Sequence, residues 1–424
     1  MKKRISSLFS RNFLSICLAL ALCCPAGFAA SAPAEKALPA IFALALQTNV
    51  EVTTPVVSEG RAGVSPRNFP DYAFSDEVLT GNFIVKAVDM SVKSVEVSVF
   101  SLTLQEVSSA LIRARDRGVA VRVIIDQNHV FTKVRDEAVQ MLIDANINLK
   151  TLRGTWDYGV NHNKIGIYDG KFVSAGSFNW SDNAVYNNYE NIAFVKTPGA
   201  VIGFRSYFEY MWSVARPYSA GPVGPIQYGS YPKPPAGPLV INFNGQGFPE
   251  YSFSPLGGSR ETLMKAVASA RKTIDLASFT LSDKELAKAL QAAHSRGIKV
   301  RIMTDKATAK KRGFVSWFMK NGMEVKLAGG RSGGSMHHKF AIFDKALLET
   351  GSHNWTGNAD VNDFENVYYT AAPGYLKAYQ NKFEQIYAKA FVPDINTLPA
   401  PEDMNSDGPA EGRIHRAESD FEVD

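Results

Sequence analysis

The sequence predicts an α/β fold made of two similar halves. Three observations carry the prediction. Strand-like and helix-like stretches alternate along the chain, the alternation occurs twice, and a run of polar residues returns 175 positions after its first copy. Strand–helix–strand order implies a sheet covered by helices, and a repeat of this length sets the domain plan.

The chain has 424 residues, enough for two or three domains. Lys2, Lys3, Arg4 and Arg11 make a basic start, residues 13–24 are apolar, and small residues after Pro25 offer cleavage after Ala30 or Ala32. This is the pattern of a signal peptide, residues 1–32. A membrane anchor is the competing reading, but the apolar core falls short of the roughly 20 residues a span needs. Cys23 follows Leu22 rather than a small residue, which argues against lipid attachment. Export places the protein in the periplasm or outside the cell. Cys17, Cys23 and Cys24 all lie in the leader. The mature chain would then have neither disulfides nor thiolate metal sites. Residues 33–65 form an N-terminal extension to which no chemistry is assigned.

The first half spans 66–216. Residues 94–100 alternate and are rich in valine, as a strand is. Residues 104–116 place Val107, Ala110, Leu111 and Ala114 at helical spacing. Gly118 ends that helix, and 119–125 read as a buried strand. A closing helix over 204–215 carries Phe208. Residues 217–247 hold prolines at 217, 222, 225, 232, 234, 235 and 238, and read as an extended, partly stiff linker.

The second half spans 248–396. Phe69-Pro70-Asp71-Tyr72 returns as Phe248-Pro249-Glu250-Tyr251, an offset of 179. The same offset pairs Phe100 with Phe279, Gly118 with Gly297 and Asp126 with Asp305. Strand, helix and strand recur over 273–277, 283–295 and 299–303, and Phe383 on a helix over 376–390 matches Phe208. Residues 397–424 are acidic, without apolar periodicity, and read as a disordered tail. Residues 33–399 hold 40 basic and 33 acidic residues, a net of +7. That balance fits an anionic substrate and an ordinary solvated surface equally.

The repeated stretch carries the chemistry. Its first copy is His162, Lys164, Asp169, Gly176-Ser177-Phe178-Asn179-Trp180 and Glu190-Asn191. Its second is His337, Lys339, Asp344, Gly351-Ser352-His353-Asn354-Trp355 and Glu365-Asn366. Each histidine and lysine lie two apart in a strand-like run, so they share a face. An imidazole beside a fixed ammonium suits phosphate: one group reacts while the other neutralises oxygen charge. It suits a metal badly, because the lysine repels the cation, so no metal and no cofactor are expected. Ser177, Asn179, Ser352 and Asn354 follow tight turns and offer donors to phosphate oxygens, as do Lys164 and Lys339. One histidine cannot be nucleophile and acid in one step, and two facing copies supply both roles. His338 should point away from the reactive face, and His353 reads as pocket lining or structure. Trp180 and Trp355 read as core, and Trp156 with Tyr158 as a pocket wall. The glycine-rich 329–336 reads as a flexible rim. Lys306, Lys310, Lys311 and Arg312 read either as a polyanion grip or as a solvated helix face.

The two stretches resemble the paired HKD motifs of the phospholipase D superfamily over roughly residues 66–396, with wording most similar to its nuclease-like branch. The resemblance implies two α/β/α sandwiches about a pseudo-twofold, with one site between them. It implies that Glu190 and Glu365 orient the histidines, that Asp169 and Asp344 sit near the same site in a more structural role, and that His162 is the nucleophile. The activity expected is phospholipid hydrolysis to phosphatidic acid and a head-group alcohol through a phosphohistidine. A metal-independent endonuclease and a cardiolipin-synthase-like phosphatidyl transferase are the alternatives. Intact motifs argue against a non-catalytic binding module. The partner is then a phospholipid or nucleic-acid phosphodiester, with room for peripheral membrane contact and no obligate protein partner.

Overall fold

The computed structural model describes residues 63–227 and 229–405. The leader and nearly all of the N-terminal extension lie outside the described residues. The first half runs β1 (Tyr72–Phe74), α1 (Thr80–Met90), β2 (Ser94–Val99), α2 (Gln105–Asp116), β3 (Ala120–Asp126), α3 (Gln127–Val130), α4 (Glu137–Asp144), β4 (Asn148–Leu152), β5 (Lys164–Tyr168), β6 (Phe172–Gly176), α5 (Asp182–Tyr186), β7 (Asn191–Val195), α6 (Pro198–Val214) and β8 (Arg216–Pro217). A hairpin, β9 (Leu239–Phe243) and β10 (Gln246–Pro249), follows. The second half runs β11 (Tyr251–Ser254), α7 (Ser259–Ser269), β12 (Thr273–Ser278), α8 (Lys284–Ser295), β13 (Lys299–Asp305), α9 (Phe314–Lys320), β14 (Glu324–Ala328), β15 (Lys339–Phe343), β16 (Leu347–Gly351), α10 (Gly357–Val361), β17 (Glu365–Thr370) and α11 (Pro373–Lys389).

The two sheets share one strand order, β1-β7-β6-β5-β2-β3-β4-β8 and β11-β17-β16-β15-β12-β13-β14. In each, three parallel strands adjoin four antiparallel ones, and in the first sheet β8 adds a further antiparallel strand beside β4. Both faces are buried, as mixed sheets with crossover helices require. The outer cores pack α1, α2 and α4 on the first sheet and α7, α8 and α9 on the second. A third core joins the halves and holds α6 and α11, with Phe204, Tyr207 and Phe208 beside Phe253, Tyr379 and Phe383. Tyr207 stacks on Phe253 at 3.9 Å. Lys382, 2 % exposed, crosses the seam to Asp76 at 2.8 Å and Glu77 at 2.6 Å. The α/β/α prediction thus holds for both halves.

Two boundaries differ from the sequence reading. The linker ends at about 238, because Leu239–Phe243 folds back on Gln246–Pro249 and Phe243 enters the second core. Of the tail, residues 397–405 pack on the second half, and 406–424 lie outside the described residues. Met404 is buried, Glu402 N bonds Gly313 O, and Arg312 pairs with Glu402 at 3.0 Å. A buried methionine, an ion pair and hydrogen bonds from Ser316 and Lys284 to the carbonyls of Pro399 and Asp403 anchor a stretch whose composition alone argues for disorder.

Candidate active site

The reactive strands are placed by their neighbours. β5 and β15 are central, flanked on both sides by ladder partners, so their N-terminal ends are fixed. His162 and His337 stand two residues before those strands. Their backbone N–H groups bond across the seam, His162 to Phe364 O at 3.0 Å and His337 to Tyr189 O at 3.1 Å. Asp126 accepts from Asn161 N at 2.8 Å, and Asp305 from Met336 N at 3.0 Å. Each aspartate therefore steadies the residue before a histidine. Burial drives the Asp126 carboxyl up to about 7 and that of Asp305 upward, against those N–H donors.

Both imidazoles are held by the opposite half. His162 Nδ1 lies 2.6 Å from Glu365 Oε1, and His337 Nδ1 lies 2.6 Å from Glu190 Oε1. All four side chains are at most 5 % exposed. The crossing extends to the next residues. Asn366 Nδ2 donates to Asn163 Oδ1 at 2.9 Å, and His338 Nδ1 meets Asn191 Oδ1 at 2.9 Å. A carboxylate on Nδ1 leaves Nε2 of a neutral ring with its lone pair outward, and stabilises the charged ring when Nε2 is protonated. Spacing within one copy gives no sign that the partners are exchanged.

The lysines share the histidines' face, as the period of two requires. Lys164 Nζ donates to His162 O at 2.9 Å, and Lys339 Nζ lies 2.9 Å from His337 Nε2. Phe100 and Phe279 stand edge-on to the two imidazoles at 5.3 and 4.6 Å and lie 5.2 Å beneath the two ammoniums. In the sequence this pair stands out only through its shared offset of 179 within the repeat.

Other expected site residues fall elsewhere. The Ser177 hydroxyl donates to Glu190 Oε2 at 2.6 Å and accepts from Asn191 N. Ser352 Oγ accepts from Asn366 N and Nδ2. These serines brace the glutamate–asparagine pairs instead of offering a free donor to phosphate. Asn179 is 1 % exposed, and its Oδ1 has no hydrogen-bond partner among the described residues. Asn354 occupies the matching turn, half-buried. A Cβ at Gly176 or Gly351 would collide with the carbonyl of Asn191 or Asn366, so these turns need glycine.

Asp169 and Asp344 are not near the site. Each follows the far end of its strand, about 16 Å of extended chain from the lysine. Asp169 accepts from the N–H groups of Val92, Lys93 and Ser94 at 3.0, 2.7 and 3.1 Å. Asp344 does the same for Arg271, Lys272 and Thr273, and takes Asn244 Nδ2. Burial pushes the Asp344 carboxyl up, and these donors outweigh it and leave it below its usual value.

The glycine-rich rim is a latch. Arg331 donates to Val185 O at 2.6 Å and Asn188 O at 3.1 Å, and Ser335 N donates to Asn188 Oδ1. A Cβ at Gly334 would meet the Asn187 carbonyl, so glycine permits close approach. The opposite loop mirrors it, with Thr155 Oγ1 donating to Asn362 Oδ1 at 2.6 Å and Val160 N to Asp363 Oδ1 at 2.9 Å. Trp156 is 45 % exposed, and its backbone bridges to Ile226 of the linker. Trp180, Trp355 and His338 pack in the interior as read. Burial, then Lys382, pushes the His338 pKa well below the usual imidazole value. His353 is buried too, its pKa lowered by burial to about 3. Arg312 is spent on Glu402, which removes it from any polyanion grip.

A family model described as "Cardiolipin synthase, PLD-like domain" matches residues 84–212 and again 263–387. The chain belongs to this family. It is thus a member of the phospholipase D superfamily, and both halves carry the domain. Human mitochondrial cardiolipin hydrolase is 39 % identical over 126 residues, 30 % of this chain and 49 % of that protein. The phospholipase D of Rickettsia prowazekii is 30 % identical over 115 residues, 27 % of this chain and 56 % of that one. The chain spans about half the length of the curated relatives it matches. Phosphatidylserine synthase of Haemophilus influenzae superposes with a TM-score of 0.58 at 14 % identity, over 85 % of this chain and 94 % of that one, and shares the phospholipase D-like fold.

Proposed function

We propose that the seam is a phosphodiesterase centre that hydrolyses phospholipids through a covalent phosphohistidine. The carrying observation is the pair of crossed histidine–glutamate contacts, each with a lysine on the same face. His162, neutral, with Glu365 on its Nδ1–H, attacks phosphorus from Nε2. The bond to the leaving oxygen breaks, and His337, protonated at Nε2 once Lys339 turns from that nitrogen to the phosphate, passes the proton to the leaving oxygen. His337 then takes a proton from water, the water oxygen attacks phosphorus, and the P–N bond breaks to release a phosphomonoester. Lys164, Lys339, Asn179 and Asn354 hold the phosphate oxygens. The ammonium beside His337 Nε2 disfavours a metal cation there.

Two relatives whose names state lipid substrates, cardiolipin hydrolase and phospholipase D, support the lipid reading. The basic start and apolar run of 1–32 support export. The test is turnover of phosphatidylcholine and of plasmid DNA by the mature protein in chelator across pH. Lipid turnover with a bell-shaped profile is expected, because one ring must be neutral and the other charged around the ordinary imidazole value of about 6.5. DNA cleavage without lipid turnover would replace the substrate class. Activity lost in chelator and restored by a divalent ion would remove the mechanism.

A further inference from the structure

The first half contains a cavity of about 520 Å³ outside the seam chemistry, lined among others by Gln127, Thr151, Arg153, Arg216, Ile226 and Tyr231. Its floor is the sheet edge. Thr151 and Arg153 are two apart on extended chain, so they share a face. Arg216 on β8 is the register partner of Thr151, directly opposite and on that same face. Its roof is the linker. Gln127 holds Val223 through two bonds of 2.8 Å, Ile226 bridges to Trp156, and the Tyr231 hydroxyl donates to Arg153 O at 3.2 Å.

Two buried polar groups in this wall are incompletely used. Thr151 is 2 % and Arg153 6 % exposed. Thr151 Oγ1 and Arg153 Nε have no hydrogen-bond partner among the described residues. The other guanidinium nitrogens donate to the carbonyls of Val223 and Trp156. Burial lowers the Arg153 pKa, with Asp126, Tyr231 and Asp157 opposing that from nearby. A buried charge without a paired ion is costly unless something neutralises it.

The repeat shows that the fold does not need these groups. Asp126 pairs with Leu152 as Asp305 pairs with Ala328, so Thr151 and Arg153 correspond to Leu327 and Gly329. Arg216 lies opposite Thr151 as Phe391 lies opposite Leu327. The second half builds the same corner from leucine, glycine and phenylalanine. Threonine and two arginines replace them only where the linker roofs a cavity.

We propose that this cavity binds a phosphomonoester, gripped by Arg153, Arg216 and Thr151, with its organic body against Leu152, Pro225 and Ile226. The Arg216 guanidinium fork, with the unpartnered Arg153 Nε–H and Thr151 hydroxyl, matches a phosphate dianion in charge and donors. The volume lies in the range of small-ligand sites. Arg153 interacts electrostatically with Asp126, and Asp126 accepts from Asn161 N next to His162, so an occupant acts on the anchor of the reactive loop. A phosphomonoester is also one product of phosphodiester hydrolysis, a link that rests on the proposed function; the binding site itself does not.

The full chain is titrated by calorimetry with inorganic phosphate, adenosine monophosphate and a short-chain phosphatidate. Saturable binding is expected that persists in His162→Asn and weakens at least about tenfold in Thr151→Leu/Arg216→Phe, the loss of about one charge-assisted hydrogen bond. The tighter of the two organic ligands identifies the body. If the double variant fails to melt cooperatively, Arg216→Ala, at the exposed rim, carries the same expectation. Binding unchanged in the cavity variants, binding lost in His162→Asn alone, or no saturable binding to the wild-type chain overturns the proposal. Because His162→Asn removes the proposed nucleophile, a failure of the phosphodiesterase reading leaves the cavity result readable.

Discussion

Glu365 in the second half holds Nδ1 of His162 in the first at 2.6 Å, and Glu190 returns the contact to His337 at the same distance. Neither half completes its own imidazole.

Glu365→Gln should cut turnover by at least about 10²-fold, the low end for lost acid–base help. It should also suppress covalent labelling of His162, although the two residues belong to different halves. Single-turnover labelling with peptide mapping checks this. A variant that melts early but labels normally per folded molecule would make Glu365 a fold-building residue only.

His162→Asn and His337→Asn should fail differently. Both lose turnover on natural diesters. His337→Asn should still give a burst with a nitrophenyl phosphodiester, whose leaving group needs no proton, and His162→Asn should give none. The reverse pattern exchanges the two roles. Full activity in both variants ends the catalytic reading of the seam.

Asp169→Ala should lower stability and spare chemistry. Its carboxylate accepts three backbone N–H groups at the far end of β5. These bonds are part-buried or exposed, so water replaces some of them, and each one lost costs about 0.5–1.5 kcal/mol. Denaturant midpoints should fall while kcat per folded molecule stays within a factor of about two of wild type. A collapse of kcat at unchanged stability would return Asp169 to the reaction.

Glu349 makes stability fall as pH rises. It is buried in the second sheet, and burial pushes its pKa up to about 8. The Trp355 indole N–H offsets part of that rise, though not in hydrogen-bond geometry. The folded chain then binds a proton that the unfolded chain has released. The stabilisation is complete below the unfolded value of about 4.3 and is lost up to about pH 8, by at most about 1.4 kcal/mol per pH unit. Glu349→Gln should flatten that slope, so its melting temperature should gain on wild type between pH 5 and 8. Parallel curves for the two proteins would count against a protonated Glu349.

Much of the fold was legible because duplication doubles every signal. The alternation over 94–125 and its return 179 residues later located β2, α2 and β3 and their counterparts. The histidine–lysine pairs were legible because a strand's period of two is local. The exchanged glutamates were not, since Glu190 and Glu365 have identical spacings from their own histidines and only the packing of the halves selects the partner. Ser177 was misplaced for a related reason: a hydroxyl near a reactive strand faces substrate or a neighbouring carboxylate, and the motif does not say which. The tail to 405 was missed because Met404, a single apolar residue, has no period to detect.

The latches at Arg331 and Thr155 give the site a mechanical property. Each fixes the loop that leads into a histidine by gripping the turn that leads into the other half's glutamate. Separating the halves slightly would therefore detune both imidazoles together. Under the proposed mechanism, chemistry in this chain would report on the docking of its halves, and a chain whose second half had not closed on the first would be inert.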